Sequence, residues 1–309
     1  MSSSPHTAYT VCETVYTVSN RHSLSRLRVK SSFLFPLILL LLSVVCDQSA
    51  AAQDQAAPLT IGQTFTLASA TLRETRRINV YLPPGYADSA TLRLPVLYMP
   101  DGGMAEDFLH VAGLVQVGTG NYTMRPFIVV GIENTQRRRD MTGPTTNAED
   151  RKIAPQVGGS AAFRKFIRTE LMPTIRQRYR TTAETAIVGE SLAGLFVVET
   201  WLLEPDLFDT YVAFDPSLWW NNGELVAQAD KIVRAYAGPA KTLYVAFSSD
   251  TETATTTRRF AATLKSAAPA KLTSYYQAMP EETHATIYHP AALRAFRIVF
   301  KPHKAAPTK

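Results

Sequence analysis

Short, mostly apolar runs spaced along the chain limit how it can fold. Leu94–Met99 and Phe127–Ile132 are continuously apolar and rich in Val, Ile and Leu, and Thr185–Val188, Tyr211–Phe214 and Thr242–Phe247 follow in the same manner. Runs of this length and composition suit strands buried on both faces, as in the middle of a parallel sheet. Thr64–Leu72 and Arg77–Leu82 are expected to precede them as strands, with Pro83-Pro84-Gly85 as a stop, and Leu272–Gln277 to follow. Helical patterns fill the intervals. Ala161–Tyr179 carries Phe163, Phe166, Ile167, Leu171 and Ile175 at amphipathic spacing, with Pro173 predicting a break or kink. Further helices are expected at Ala193–Leu203, Glu224–Tyr236, Ala254–Ala267 and Ala291–Phe300. Strands alternating with helices predict an α/β fold, a mostly parallel central sheet with helices on both faces. No repeat or low-complexity tract divides the chain, so residues 60–309 are read as one domain.

The first fifty residues read as a leader rather than as part of that domain. Arg26, Arg28 and Lys30 precede a 13-residue apolar run, Phe33–Val45, and small residues from Ser49 to Ala52 follow. Positive, apolar and small-residue regions in that order predict a secretory signal over residues 1–52, cleaved before Gln53, with the start of translation open to reassignment downstream. The apolar run is short of the roughly 20 residues a spanning helix needs, so no stable membrane insertion is expected after cleavage. Residues 53–59 are a polar linker. Cleavage would remove Cys12 and Cys46, leaving a mature chain without disulfides or thiolate ligands, suited to a periplasmic or secreted location.

The formal charge of +6 is thinly spread, and the tightest basic cluster, Arg137-Arg138-Arg139, is closed by Asp140. Nucleic-acid binders concentrate such charge on one stripe, so no nucleic-acid partner is expected. No phosphate loop, dinucleotide fingerprint or metal-ligand cluster is present, and no cofactor or metal is inferred. No feature of the sequence specifies an oligomeric state.

Chemistry concentrates at Ile187-Val188-Gly189-Glu190-Ser191-Leu192-Ala193-Gly194. A strand, a tight turn carrying serine, and a helix in this order make a nucleophile elbow, which lifts the serine oxygen above the sheet. Ala193 stands where the strict pattern has glycine, and remains small enough to fit. A serine that only caps a helix is the plain alternative. An oxyanion needs two backbone donors. Leu192, at the helix N-terminus, is one, and the loop Asp101-Gly102-Gly103-Met104 is expected to supply the other from Gly103 or Met104. His284 follows the last strand, where the chain order Ser…acid…His places the base; His110, His289 and His303 are poorer placed. The acid that orients it is expected after Thr242–Phe247, at Asp250, with Glu252 and Asp215 as alternatives.

Together, Gly189–Phe196, Asp215-Pro216-Ser217-Leu218-Trp219-Trp220, Glu282-Thr283-His284 and Pro126–Asn134 followed by Arg139-Asp140 resemble the esterase D-type esterase family. That family includes the ferric enterobactin and salmochelin trilactone esterases. The resemblance runs from about Thr60 to the C-terminus and implies an α/β-hydrolase fold and ester cleavage by a serine–histidine pair. It implies Ser191 and His284 as catalytic and favours Asp250 over Glu252. The wider superfamily includes feruloyl and acetyl esterases and mycolyl transferases, so membership does not fix the substrate. Trp219, Trp220 and Asn221 are expected to wall the pocket, and Arg139 to meet an anionic substrate, with a core role and a solvated loop as the respective alternatives. The resulting expectation is an exported serine carboxylic-ester hydrolase acting on a small-molecule ester, siderophore lactones among the candidates. An acyltransferase on the same triad and a non-catalytic binding protein on a hydrolase scaffold are the alternatives.

Overall fold

The computed structural model describes residues 56–302, Ala268 excepted. The expected leader, the start of the linker and His303 lie outside the described residues. Among the described residues there are eight strands: β1 Gln63–Ser69, β2 Glu74–Tyr81, β3 Leu94–Met99, β4 Ile128–Ile132, β5 Thr181–Glu190, β6 Thr210–Phe214, β7 Lys241–Phe247 and β8 Leu272–Ala278. They form one sheet in the order β1-β2-β4-β3-β5-β6-β7-β8. β1 and β2, and β2 and β4, pair antiparallel; every pair from β4 onward is parallel.

Side-chain alternation along the central strands divides the core into two layers. On one face Val96, Tyr98, Val130, Ile187, Tyr211 and Leu243 pack against Phe163, Phe166, Phe196 and Val226. Those partners lie on α4 (Ser160–Phe166), α6 (Leu192–Leu203) and α7 (Trp220–Arg234). On the other face Leu97, Met99, Val188, Val212, Phe214 and Tyr244 meet Phe108, Val111, Ala291 and Phe296 from α1 (Phe108–Gly120) and α9 (Tyr288–Val299). Each such fully buried side chain stabilises the fold by about 1.5–3 kcal/mol over its exposed state.

Several boundaries differ from the sequence expectation. β1 ends at Ser69, whose Oγ accepts the Leu72 N–H at 2.9 Å and turns the chain, with Arg73 at φ 56°. The long helix does break near Pro173 as expected, at a π-helical turn over Ile167–Leu171, and α5 (Met172–Arg178) resumes beyond it. Pro173 lacks the N–H that an unbroken α-helix would need there, which accounts for the widened turn. Two short helices were not anticipated: α2 (Arg137–Met141) and α3 (Ala148–Lys152). In α7, Asn221, Asn222 and Gly223 have φ of 50°, 56° and 71°, so regular helix starts at about Glu224. No helix among the described residues is long and apolar enough to cross a membrane. The C-terminal ends of β5, β6 and β7 lie side by side in register, the edge where open parallel sheets carry their sites.

Candidate active site

β5 delivers Ser191 to that edge on a turn with φ 60° and ψ −119°, a conformation unusual for a residue with a side chain. The surrounding backbone holds it there. Ser191 N–H donates to the Phe214 carbonyl at 3.0 Å, and the Ser191 carbonyl accepts from Leu195 and Ser217. A Cβ at Gly189 would meet Ala193 at 2.7 Å, so the glycine leaves the room that the Ala193 methyl occupies. A Cβ at Gly194 would come within 2.9 Å of the Phe214 carbonyl oxygen. The small residues around the serine are thus a requirement of close backbone approach between β5, α6 and the end of β6.

His284 reaches the serine from the loop between β8 and α9. Its Nε2 lies 3.1 Å from Ser191 Oγ, and its Nδ1 lies 3.1 Å from Asp215 Oδ2. The loop is tied to the end of β7, where Ser249 donates from both its N–H and its hydroxyl to the Glu282 carbonyl. Asp215 stands at the end of β6 with no solvent exposure. Its Oδ1 accepts the Ser248 N–H at 2.6 Å and its Oδ2 the Ser248 hydroxyl at 2.5 Å. A buried carboxylate with its lone pairs engaged in this way can hold one tautomer of the imidazole. The hydrogen bond to Asp215, then the nearby charges of Glu190, Asp215 and Asp250, raise the His284 pKa, against partial burial.

The preferred acid from sequence, Asp250, has another place. Its Oδ1 accepts the Thr253 N–H at 3.0 Å, at the start of α8 (Thr251–Ala267), and its charge acts on His284 only through space. The geometry therefore favours the alternative Asp215: the shorter path to Nδ1 runs from β6, the strand next to the one that carries Ser191. Glu252 lies in the first turn of α8, and its side chain is outside the described residues.

The loop after β3 is tied to its neighbours through Gly102. Gly102 N–H donates to the Ile132 carbonyl, Asn79 Nδ2 donates to the Gly102 carbonyl, and a Cβ at Gly102 would meet Ile132 N at 2.2 Å. Of the two expected loop donors, Gly103 already gives its N–H to Glu106 Oε2 at 2.7 Å. That carboxylate closes a tight turn on itself, an arrangement the glycine pair alone does not reveal. Met104 and Leu192 are the expected donors not tied up in that turn.

Four expected substrate contacts are reassigned or divided by the structure. Arg139 binds Glu74 through both terminal nitrogens and Asp140 through Nε, as part of a buried ionic cluster with Arg76. Trp220 is 4% exposed and donates Nε1 to the Gly143 carbonyl, so it is a core residue. Asn221 accepts from Thr145 and Thr146 and donates its N–H to Asp150, fixing the loop beside α3. Trp219 does face open space, lining a cleft with Asn147, Asp150, Asn222 and Thr256.

Of two charged groups beside the serine, Arg137 belongs to the basic run expected to meet an anionic substrate or to lie in a solvated loop, and Glu190 was not singled out from sequence. Arg137 forms a bidentate pair with Asp101, at 2.7 and 2.8 Å. Glu190, next to Ser191, places Oε1 3.3 Å from His284 Nε2. Burial raises the Glu190 pKa to about 7, opposed by His284 and Arg137. Burial, reinforced by Asp101, likewise raises Asp107 to about 6. No group of three or more His, Cys, Asp or Glu placed to hold a metal occurs among the described residues. A cleft of about 620 Å³ beside the β3 loop is lined by Ile61, Arg77, Asn79, Met104, Glu106 and Glu133. Gly103 and Met104 line it, whereas Ser191, His284 and Asp215 do not, so the candidate site is defined by the contacts among those three residues rather than by cavity size.

Comparison with known proteins places the chain among esterases. An IroE-like serine hydrolase from Shewanella oneidensis superposes with a TM-score of 0.72 at 30% identity, covering 78% of this chain and 80% of that one. Among curated proteins, the ferri-bacillibactin esterase BesA of Bacillus subtilis is 29% identical over 180 residues, 52% of this chain and 60% of that protein. The siderophore triacetylfusarinine C esterase of Aspergillus fumigatus is 29% identical over 169 residues, 50% of this chain and 56% of that protein. The chain thus spans little more than half the length of these curated relatives. The fold is the α/β-hydrolase fold. Residues 69–291 match the model of the family described as "Putative esterase", and with most of the domain inside that match, the chain belongs to this esterase family.

Proposed function

We propose that the protein is an exported serine esterase that hydrolyses carboxylic esters of small molecules through an acyl-enzyme. The observation that carries this reading is the continuous contact from Ser191 Oγ to His284 Nε2 and from His284 Nδ1 to buried Asp215. Ser191 Oγ attacks the ester carbonyl as its proton passes to Nε2, and the carbonyl oxygen becomes an oxyanion facing the Leu192 and Met104 N–H groups. The C–O bond then breaks, and the imidazolium returns the proton to the departing alcohol. Water then attacks the acyl-enzyme as Nε2 takes its proton, and the imidazolium returns that proton to Ser191 Oγ as the bond to the serine breaks and the acid leaves.

Siderophore lactones and related acyl esters are the proposed substrate class. Support comes from the relatives, which are named as a ferri-bacillibactin esterase and a siderophore triacetylfusarinine C esterase. Export rests on the basic, apolar and small-residue order of the leader.

Turnover of a short-chain aryl ester and labelling by a fluorophosphonate test the mechanism together. Ser191→Ala is expected to abolish both while leaving the circular dichroism spectrum unchanged; activity retained in that variant overturns the proposal. Hydrolysis of a catecholate trilactone at a rate above that of simple acetyl and feruloyl esters supports the substrate class, and the reverse ranking removes it.

A further inference from the structure

Ser191 is not the only side chain in contact with the reactive nitrogen of His284. Glu190 Oε1 lies 3.3 Å from Nε2, the same nitrogen that faces the serine hydroxyl at 3.1 Å. The Glu190 side chain is 16% exposed, and its Oε1 accepts no hydrogen bond among the described residues. An under-partnered buried carboxylate is costly unless it meets a positive charge at some stage. The imidazolium is such a charge, and it exists only during acylation and deacylation.

We propose that Glu190 is a second acidic partner of His284, acting at Nε2 as Asp215 acts at Nδ1, and that it stabilises the imidazolium formed when Ser191 gives up its proton. This rests on the serine-esterase reading above. When the proton reaches Nε2, the new N–H has two acceptors, the alkoxide leaving group and Glu190 Oε1. The ring is then flanked by a carboxylate at each nitrogen, and the proton waits near the leaving oxygen until the C–O bond breaks. The same contact carries a cost at low pH. A resting imidazole that is already protonated turns its Nε2–H to Glu190 and cannot accept from Ser191.

The charges around the pair set the sign. Glu190 faces His284, Arg137 from α2, Asp215 from the end of β6 and Asp107 ahead of α1. His284 faces Glu190, Asp215 and, ahead of α8, Asp250. Arg137 is bound to Asp101 at both oxygens, so the positive charge nearest to Glu190 is shared. Burial raises the Glu190 pKa to about 7, so the carboxyl acts as a full anion above that pH and shares its titration with His284 below it. Removing the carboxyl takes that stabilising anion from the imidazolium and leaves Asp215 in place.

The test uses Glu190→Gln, which keeps the shape and removes the charge, with Glu190→Asp as a second variant that keeps the charge and withdraws the oxygen. The acidic limb of the kcat/KM profile on an aryl ester is expected to move down by about 0.5–1 pH unit in Glu190→Gln and by less in Glu190→Asp, with KM little changed. The His284 ring, titrated by NMR in a Ser191→Ala background, is expected to shift in the same direction when Glu190→Gln is added. Should Glu190→Gln fail to fold, the Asp variant alone must show both shifts. An unmoved acidic limb or an unmoved imidazole titration overturns the proposal. Because Ser191→Ala is assayed alongside, loss of the serine reading registers separately: activity persisting in that variant removes the reading, whereas inactivity there with unmoved titrations removes only the role of Glu190.

Discussion

Ser248 donates to both oxygens of Asp215, from its N–H at 2.6 Å and from its hydroxyl at 2.5 Å. The residue at the end of β7 thereby fixes the carboxylate at the end of β6, and leaves Oδ2 aimed at His284 Nδ1. Removing the carboxylate is expected to be severe: Asp215→Asn lowers kcat/KM by about 10³-fold or more, because the amide favours the wrong imidazole tautomer. Ser248→Ala removes only the hydroxyl bond; it is expected to lower kcat/KM by about three- to tenfold and to destabilise the fold by about 1–2 kcal/mol. Steady-state kinetics with urea unfolding of each variant checks both expectations. Equal losses in the two variants would refute the arrangement.

Asp250 gives the contrasting case. Its side chain accepts the Thr253 N–H at the start of α8 rather than a proton from the imidazole. Asp250→Ala is therefore expected to cost about 1 kcal/mol of stability, as the loss of a helix cap does. Its kcat/KM at neutral pH should stay within about threefold of the parent, since only a through-space charge on His284 is lost. A thousandfold loss of activity in this variant would restore Asp250 as the triad acid.

These two aspartates show where the sequence was legible and where it stopped. The sheet, the elbow at Ser191 and the histidine at 284 depend on local patterns: apolar runs, small residues at close approaches, and a position after the last strand. The acid depends on how far each strand end protrudes toward His284, which no local pattern records. The same limit applies to Arg139 and Trp220, whose residue types suit a pocket. They are instead occupied by Glu74 and Asp140 in one case and by the Gly143 carbonyl in the other. Asp140 and Arg76 are fully buried, so the Arg139 contact belongs to an ionic cluster that joins β2 to α2. Contacts 60 or more residues apart in sequence make that cluster, and composition does not reveal them.

The buried carboxyl of Glu190 makes stability depend on pH with a definite sign. Its pKa is raised from 4.5 to about 7 in the folded protein, so the folded state binds this proton more tightly than the unfolded chain. The associated stability is fully present below about pH 4.5 and is lost as pH rises through about 7. Glu190→Gln has no such proton to lose. Relative to the parent, the variant is expected to gain on the order of 1–3 kcal/mol at pH 8 and to lose that advantage near pH 4. Urea unfolding at the two pH values checks this. An advantage that is equal at both would show that the carboxyl is not held in its neutral form. Activity has its own pH dependence: the raised His284 pKa predicts that kcat/KM climbs through a midpoint above 6.5.

Gly194 and Ala193 offer a test of the elbow itself. A methyl at Gly194 would come within 2.9 Å of the Phe214 carbonyl oxygen and 3.1 Å of Pro216 Cα. Both are backbone atoms on the segment that carries Asp215, and neither can move without shifting the acid. The same Phe214 carbonyl accepts the Ser191 N–H, so a displaced carbonyl also loosens the nucleophile. Gly194→Ala is therefore expected to destabilise the fold by about 1–3 kcal/mol, as overpacking does, and to lower kcat/KM at least about tenfold through misplacement of Ser191 against His284. Ala193→Gly removes a methyl that rests against Gly189. It is expected to cost about 0.5–1 kcal/mol of helix stability and to keep activity within a few-fold of the parent. Kinetics and thermal unfolding on the pair separate the two effects. If Gly194→Ala retained full activity, the close approach of α6 to the end of β6 would have no part in placing the serine.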